Sequence, residues 1–193
     1  MGLGMIKAVL FDLDNTLVDF MRMKEACCEA AIHAMIEAGL PLDKERARKK
    51  LFKMYERAGI ENQEIFEKFL KATVGKVDYR MLAAGIAAYR RVKAGHIVPY
   101  PHVRETLVRL KEQGLRLGIV SDAPKLQAWL RLAEMNLVEF FDVVVALEDT
   151  GSKKPSKRTT SIRSATTVAS AALSPSQYRS RVIRQKPPLR MVF

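Results

Sequence analysis

Ile6-Lys7-Ala8-Val9-Leu10-Phe11-Asp12-Leu13-Asp14-Asn15-Thr16-Leu17 is the stretch whose reading decides the fold. Ile6 to Leu13 is a nearly unbroken apolar run, interrupted by Lys7 and ending at the acids Asp12 and Asp14. It is too short for a typical helix, so it reads as a fully buried strand. Two carboxylates two residues apart on an extended chain point the same way, and the turn at Asn15 and Thr16 aims both at one pocket. One of them can attack phosphorus and form an acyl phosphate. The other, held protonated, can hand a proton to the departing alkoxide.

From Asp19 to Gly95 the apolar period becomes helical. Ala47, Leu51, Met54, Tyr55 and Ala58 share one face, and further helices are expected at residues 22–38, 63–74 and 79–93. Asp43, Asn62 and Asp78 stand where side-chain oxygens would cap them. After Pro99 and Pro101 the order is helix (Val103, Thr106, Leu107, Leu110), strand (Leu115 to Val120), helix (Lys125 to Met135) and strand (Val143 to Leu147). Such alternation implies an α/β fold with a doubly wound parallel sheet. The expected division is a discontinuous α/β core over 1–18 and 96–155, a helical insertion over 19–95 and an atypical segment over 156–193.

Ligands of open α/β sheets bind beyond the carboxyl ends of the strands. The second strand ends in Gly118-Ile119-Val120-Ser121-Asp122, where a small hydroxyl and the neighbouring N–H groups can hold phosphoryl oxygens. The third is followed by Gly151-Ser152-Lys153-Lys154-Pro155, where a lysine can neutralise developing phosphoryl charge. Together these motifs resemble the first three of the haloacid dehalogenase superfamily phosphatases that carry a helical cap. The resemblance spans residues 5–155. It implies Asp12 as nucleophile, Asp14 as general acid, and Lys154, chosen over Lys153 because it precedes Pro155, as the charge-stabilising lysine. The substrate-binding set is Leu13, Ser121, Asp122 and Lys154. It further implies Mg²⁺ held through Asp12 and the Asp14 position, a small phosphorylated substrate, and a cap that closes to exclude water.

One departure stands out. The family's fourth motif supplies further acidic metal ligands, but no Asp or Glu follows Asp149. Each missing carboxylate weakens binding of a hard, oxygen-seeking cation, so the expectation is weak or absent turnover for this chain. A reading-frame change near Lys157 would produce such a segment. The net charge of +12 has the same origin. Residues 1–149 carry 23 Lys and Arg against 21 Asp and Glu, whereas residues 150–193 carry 10 basic residues and no acid. Eleven of the 38 residues from Ser156 onward are Ser or Thr, with Tyr178 and Phe193 as the only aromatics, so no specific nucleic-acid partner is expected. No apolar run is long enough to span a membrane. Adjacent Cys27 and Cys28 suit a reducing cytoplasm better than a disulfide, which would be strained between neighbours in a helix.

Overall fold

A computed structural model describes residues 6–151 and Lys154. They fall into two compact units, one formed by the segments up to Asp19 and from Val98 onward, the other by Phe20–Ile97. The segment 156–193 singled out above lies outside the described residues.

In the first unit, β1 (Ala8–Phe11), β2 (Arg116–Val120) and β3 (Val143–Val145) form a parallel sheet in the order β1-β2-β3. Leu10 faces Gly118 and Phe11 faces Ile119, while Val120 faces Val145. This register brings Asp12, Ser121 and Ala146 to one end of the sheet, each just past its strand. Gly118 leaves room for the side chains of its neighbours: a Cβ there would lie 2.6 Å from Leu10 Cδ2 and 2.8 Å from Val143 Cγ1. Parallel strands need crossovers, and helices α5 (Val103–Glu112) and α6 (Lys125–Glu134) lie between them in sequence. A four-residue helix, α7 (Leu147–Thr150), follows β3.

Two expectations need correction here. The first strand is shorter than Ile6 to Leu13, and Val9, Leu10 and Phe11 are only partly buried. Among the described residues β1 is an edge strand with one neighbour, so it lacks the cover a central strand enjoys. The third strand stops at Val145 because the chain turns into α7, where Asp149 Oδ2 accepts the Ala146 N–H at 3.0 Å.

The second unit contains α1 (Phe20–Glu37), α2 (Lys44–Ala58), α3 (Ile65–Val74) and α4 (Tyr79–His96). Its core joins Ile32, Met35, Leu51, Phe69 and Leu70, all essentially inaccessible to solvent, with Ala47 and Tyr55 from the predicted face of α2. Asp43 caps α2 through the Arg46 N–H, and Asp78 caps α4 through the Arg80 and Met81 N–H groups. Asn62 does not cap α3. It accepts the Glu64 N–H within the preceding turn, and the helix starts only at Ile65.

Buried Lys24 lies in this unit with its ammonium 4.5 Å from the Tyr55 ring centre and 5.3 Å from that of Tyr89. The faces of the rings offer it negative electrostatic potential where water is scarce. Cys27 and Cys28 are free thiols with no solvent exposure. Burial, followed by the neighbouring Cys28, pushes the Cys27 thiol up to about 11. Burial pushes Cys28 up as well.

Candidate active site

The turn after β1 is built by its own backbone. Asn15 takes a left-handed conformation (φ 57°), its N–H reaches Val18 O at 2.7 Å, and the Leu17 N–H reaches Leu13 O at 2.9 Å. The residue type fits, since asparagine tolerates this region better than most side chains. The turn fixes Asp12 and Asp14 on either side of fully buried Leu13. Leu13 also donates its N–H to Asp12 Oδ1 at 2.9 Å, so its backbone orients that carboxylate.

Lys154 joins the strand ends. Its ammonium lies 2.6 Å from Asp12 Oδ1 and 3.0 Å from Val120 O, linking the end of β1 to the end of β2. Its backbone N–H is held by Asp122 Oδ1 at 2.8 Å. Asp122 thus holds the lysine's backbone and limits where the ammonium can reach. Asp12 is 43% and Lys154 27% exposed at the side chain, so the pair is open enough for a ligand to approach.

Ser121 is buried, and its N–H is committed to Val145 O at 2.9 Å. Its Oγ accepts the Ala123 N–H at 3.1 Å. The backbone N–H of Ser121 is therefore used by the sheet rather than offered to an anion, whereas the hydroxyl keeps a proton to donate.

The sequence reading missed Arg131. This α6 residue is 3% exposed, and its Nη1 lies 3.0 Å from Asp14 Oδ2. Two residue pairs thus meet at the strand ends, Asp12 with Lys154 and Asp14 with Arg131. Glu148 and Asp149, the other acids following a strand, serve the local structure. Glu148 accepts the Lys125 N–H that opens α6, and Asp149 pairs with the Lys125 ammonium at 2.7 Å.

Residues 9–167 match the family of haloacid dehalogenase-like hydrolases. The chain belongs to that family. A glyceraldehyde 3-phosphate phosphatase of Methanocaldococcus jannaschii is 38% identical over 151 residues, covering 78% of this chain and 66% of the relative. The chain therefore spans about two thirds of that relative's length. The crystal structure of a HAD phosphatase from Thermococcus onnurineus is 25% identical, with a TM-score of 0.53 over 80% of this chain and 68% of the other. YfnB of Bacillus subtilis, solved bound to magnesium, is 23% identical with the same TM-score, covering 80% of this chain and 70% of its own. That likeness carries the fold, which is the haloacid dehalogenase-like α/β fold.

Magnesium asks for about six oxygen ligands in near-octahedral array. Among the described residues, no group of three or more His, Cys, Asp or Glu side chains converges to hold a metal. Asp12, Asp14 and Asp122 follow β1 and β2, and each is engaged by Lys154 or Arg131. The described residues do not by themselves make a magnesium site, and no chemical step is routed through one below.

Proposed function

We propose that this chain is a hydrolase of small phosphate monoesters working through an aspartyl-phosphate on Asp12. The observation that carries this reading is the Lys154 ammonium, which touches Asp12 Oδ1 and Val120 O together, one residue before Ser121. A phosphoryl group beside Asp12 would meet a cation and a hydroxyl, the two kinds of donor that stabilise its oxygens. Leu13 N–H and Lys154 fix Oδ1, and we assign the attack to Oδ2. As the new oxygen–phosphorus bond forms, the ester bond to the alkoxide breaks, and the leaving oxygen takes a proton from Asp14. Water then attacks phosphorus, Asp12 departs as its carboxylate, and Asp14 takes the water's proton. The glyceraldehyde 3-phosphate phosphatases among the relatives support a small phosphorylated substrate.

Magnesium belongs to this proposal as a cofactor: Asp12 and Asp14 would be among the residues that hold it, without completing its shell, and it would supply positive charge to the phosphoryl oxygens. A reducing, cytoplasmic setting belongs to it too, supported by the free thiols of Cys27 and Cys28. Among the described residues no helix is long and apolar enough to cross a membrane.

A second reading is a phosphate-binding protein without turnover, favoured by the pairing of Asp12 with Lys154 and of Asp14 with Arg131, which engages both carboxylates. Hydrolysis of p-nitrophenyl phosphate by the 193-residue chain, with Mg²⁺ and with EDTA, separates the two. The hydrolase reading expects release of p-nitrophenolate that EDTA suppresses and that Asp12→Asn abolishes. Equal rates in Asp12→Asn and the parent chain would refute it. Phosphate binding without turnover would establish the second reading.

A further inference from the structure

We infer that the outward face of α2 is a docking surface for a nucleic-acid duplex, held through its phosphate backbone and without regard to base sequence. The inference goes beyond the hydrolase reading and uses none of the groups assigned to it.

The charge of residues 1–149 is unevenly placed. Residues 20–97 carry 16 Lys and Arg against 10 Asp and Glu, a net of +6, whereas residues 1–19 and 98–149 together carry 7 against 11, a net of −4. Helix α2 alone holds seven of those 16 cations and two of those 10 acids, so +5 resides on 15 residues. Arg46, Lys49, Lys50, Lys53 and Arg57 recur at i, i+3, i+4, i+7 and i+11, which is one face of a helix. The opposite face, with Ala47, Leu51 and Tyr55, is buried in the core of the helical unit.

This basic row is left largely uncompensated. Lys49, Lys53 and Arg57 are exposed. Among the described residues Arg46 is the one member with an acidic partner, Asp43 at 3.2 Å. Lys50 donates to Ala72 O at 2.7 Å, which ties its ammonium to the end of α3, next in sequence to Lys71. Glu29 is taken by Lys44 and Arg48, and Glu45 and Glu56 flank the row without forming an ion pair to it. Like charges four residues apart, as in Arg46 and Lys50, Lys49 and Lys53, or Lys53 and Arg57, destabilise a helix. The fold works against such a row, and an external polyanion is what relieves it.

The row runs about 16 Å along the helix axis at about 1.5 Å per residue. A duplex presents a matching line of fixed negative charge, about one per 1.7 Å of its axis, and cations that replace its condensed counterions bind by releasing them. No aromatic side chain shares the row, so it offers nothing for unpaired bases to stack on, and a duplex backbone suits it better than a single strand. An anionic membrane is the poorer partner. The apolar face of α2 is occupied by the core, and none of the exposed large hydrophobic residues belongs to this helix, so it has nothing to insert into a bilayer.

The test must be local, because residues 150–193 bring 10 cations of their own. The full chain is titrated with a short DNA duplex of mixed sequence, followed by NMR of the lysine and arginine side-chain nitrogens and by fluorescence anisotropy at several salt concentrations. The expected result is saturable shifts at Lys49, Lys53 and Arg57. Their joint exchange, Lys49→Gln with Lys53→Gln and Arg57→Gln, should reduce the salt dependence by about 0.9 per lost phosphate contact, so that from about 50 to about 200 mM salt the parent loses about fortyfold more affinity than the variant. The three positions are exposed and glutamine is a good helix former, so the variant keeps its fold. Shifts confined to residues beyond Asp149, or a salt dependence unchanged in the triple variant, would overturn the proposal. Binding to phosphatidylglycerol vesicles that the triple exchange abolishes, with no binding of the duplex, would overturn it in favour of a membrane.

Discussion

The two compact units bury polar groups for different ends. In the helical unit the core is apolar, and the buried charge found there, Lys24, rests against the rings of Tyr55 and Tyr89. In the α/β unit, buried Ser121 and Arg131 lie at or reach the carboxyl ends of the strands, beside Asp12, Asp14 and Lys154. The first arrangement solves a problem of packing. The second retains ionisable groups in defined positions, at a cost in desolvation that packing alone does not explain. The difference teaches where a substitution should show itself: as lost chemistry at the strand ends, and as lost stability in the bundle.

The sharpest way to break this contrast is Asp12→Asn. It should lower hydrolysis by at least about 10³-fold, since removal of a covalent nucleophile disables both steps. Its partly exposed ion pair with Lys154 should contribute no more than about 1 kcal/mol to stability, so urea unfolding should barely change. A large fall in unfolding midpoint would make Asp12 a structural residue. Phe69→Ala probes the other unit. Phe69 is fully buried among Ile32, Met35 and Leu70, and its truncation should cost about 3–5 kcal/mol by urea denaturation.

Gly118→Ala tests the sheet beneath the site. The added methyl would press on Leu10 and Val143 and should destabilise by about 1–3 kcal/mol, measured by thermal unfolding. The smallest effect concerns pH. An unfolded thiol ionises near about 8.5, whereas burial holds folded Cys27 protonated up to about 11. The stabilisation is intact below the unfolded value and is lost as pH rises toward the folded one. The urea midpoint should therefore fall between pH 8.5 and 11, and fall less in Cys27→Ala. The same decline in both chains would exclude Cys27 as its source.

Much of this arrangement was legible from local pattern. Short apolar runs ending in Asp12 and Ser121 marked the strands, and Asp43 and Asp78 marked two helix starts. Lys154 was legible because Pro155 distinguishes it from Lys153, which lies outside the described residues. Arg131 was hidden. A single arginine on an amphipathic helix ordinarily faces water, and its partner stands at the far end of the sequence. The partial exposure of β1 was equally hidden, because an apolar run reports what a strand can bury and not how many neighbours cover it. Asn62 misled for a local reason: a turn can claim the same side-chain oxygen that a helix would use.

The central claim is that one phosphoryl group can sit beside Asp12, Ser121 and Lys154. Titration of the labelled 193-residue chain with inorganic phosphate, followed by backbone and side-chain NMR, tests it most directly. The account predicts saturable shifts concentrated at Asp12, Leu13, Ser121 and Lys154, abolished by exchanging Lys154 for methionine. Shifts confined to the basic residues beyond Lys157, with the strand ends unmoved, would contradict it.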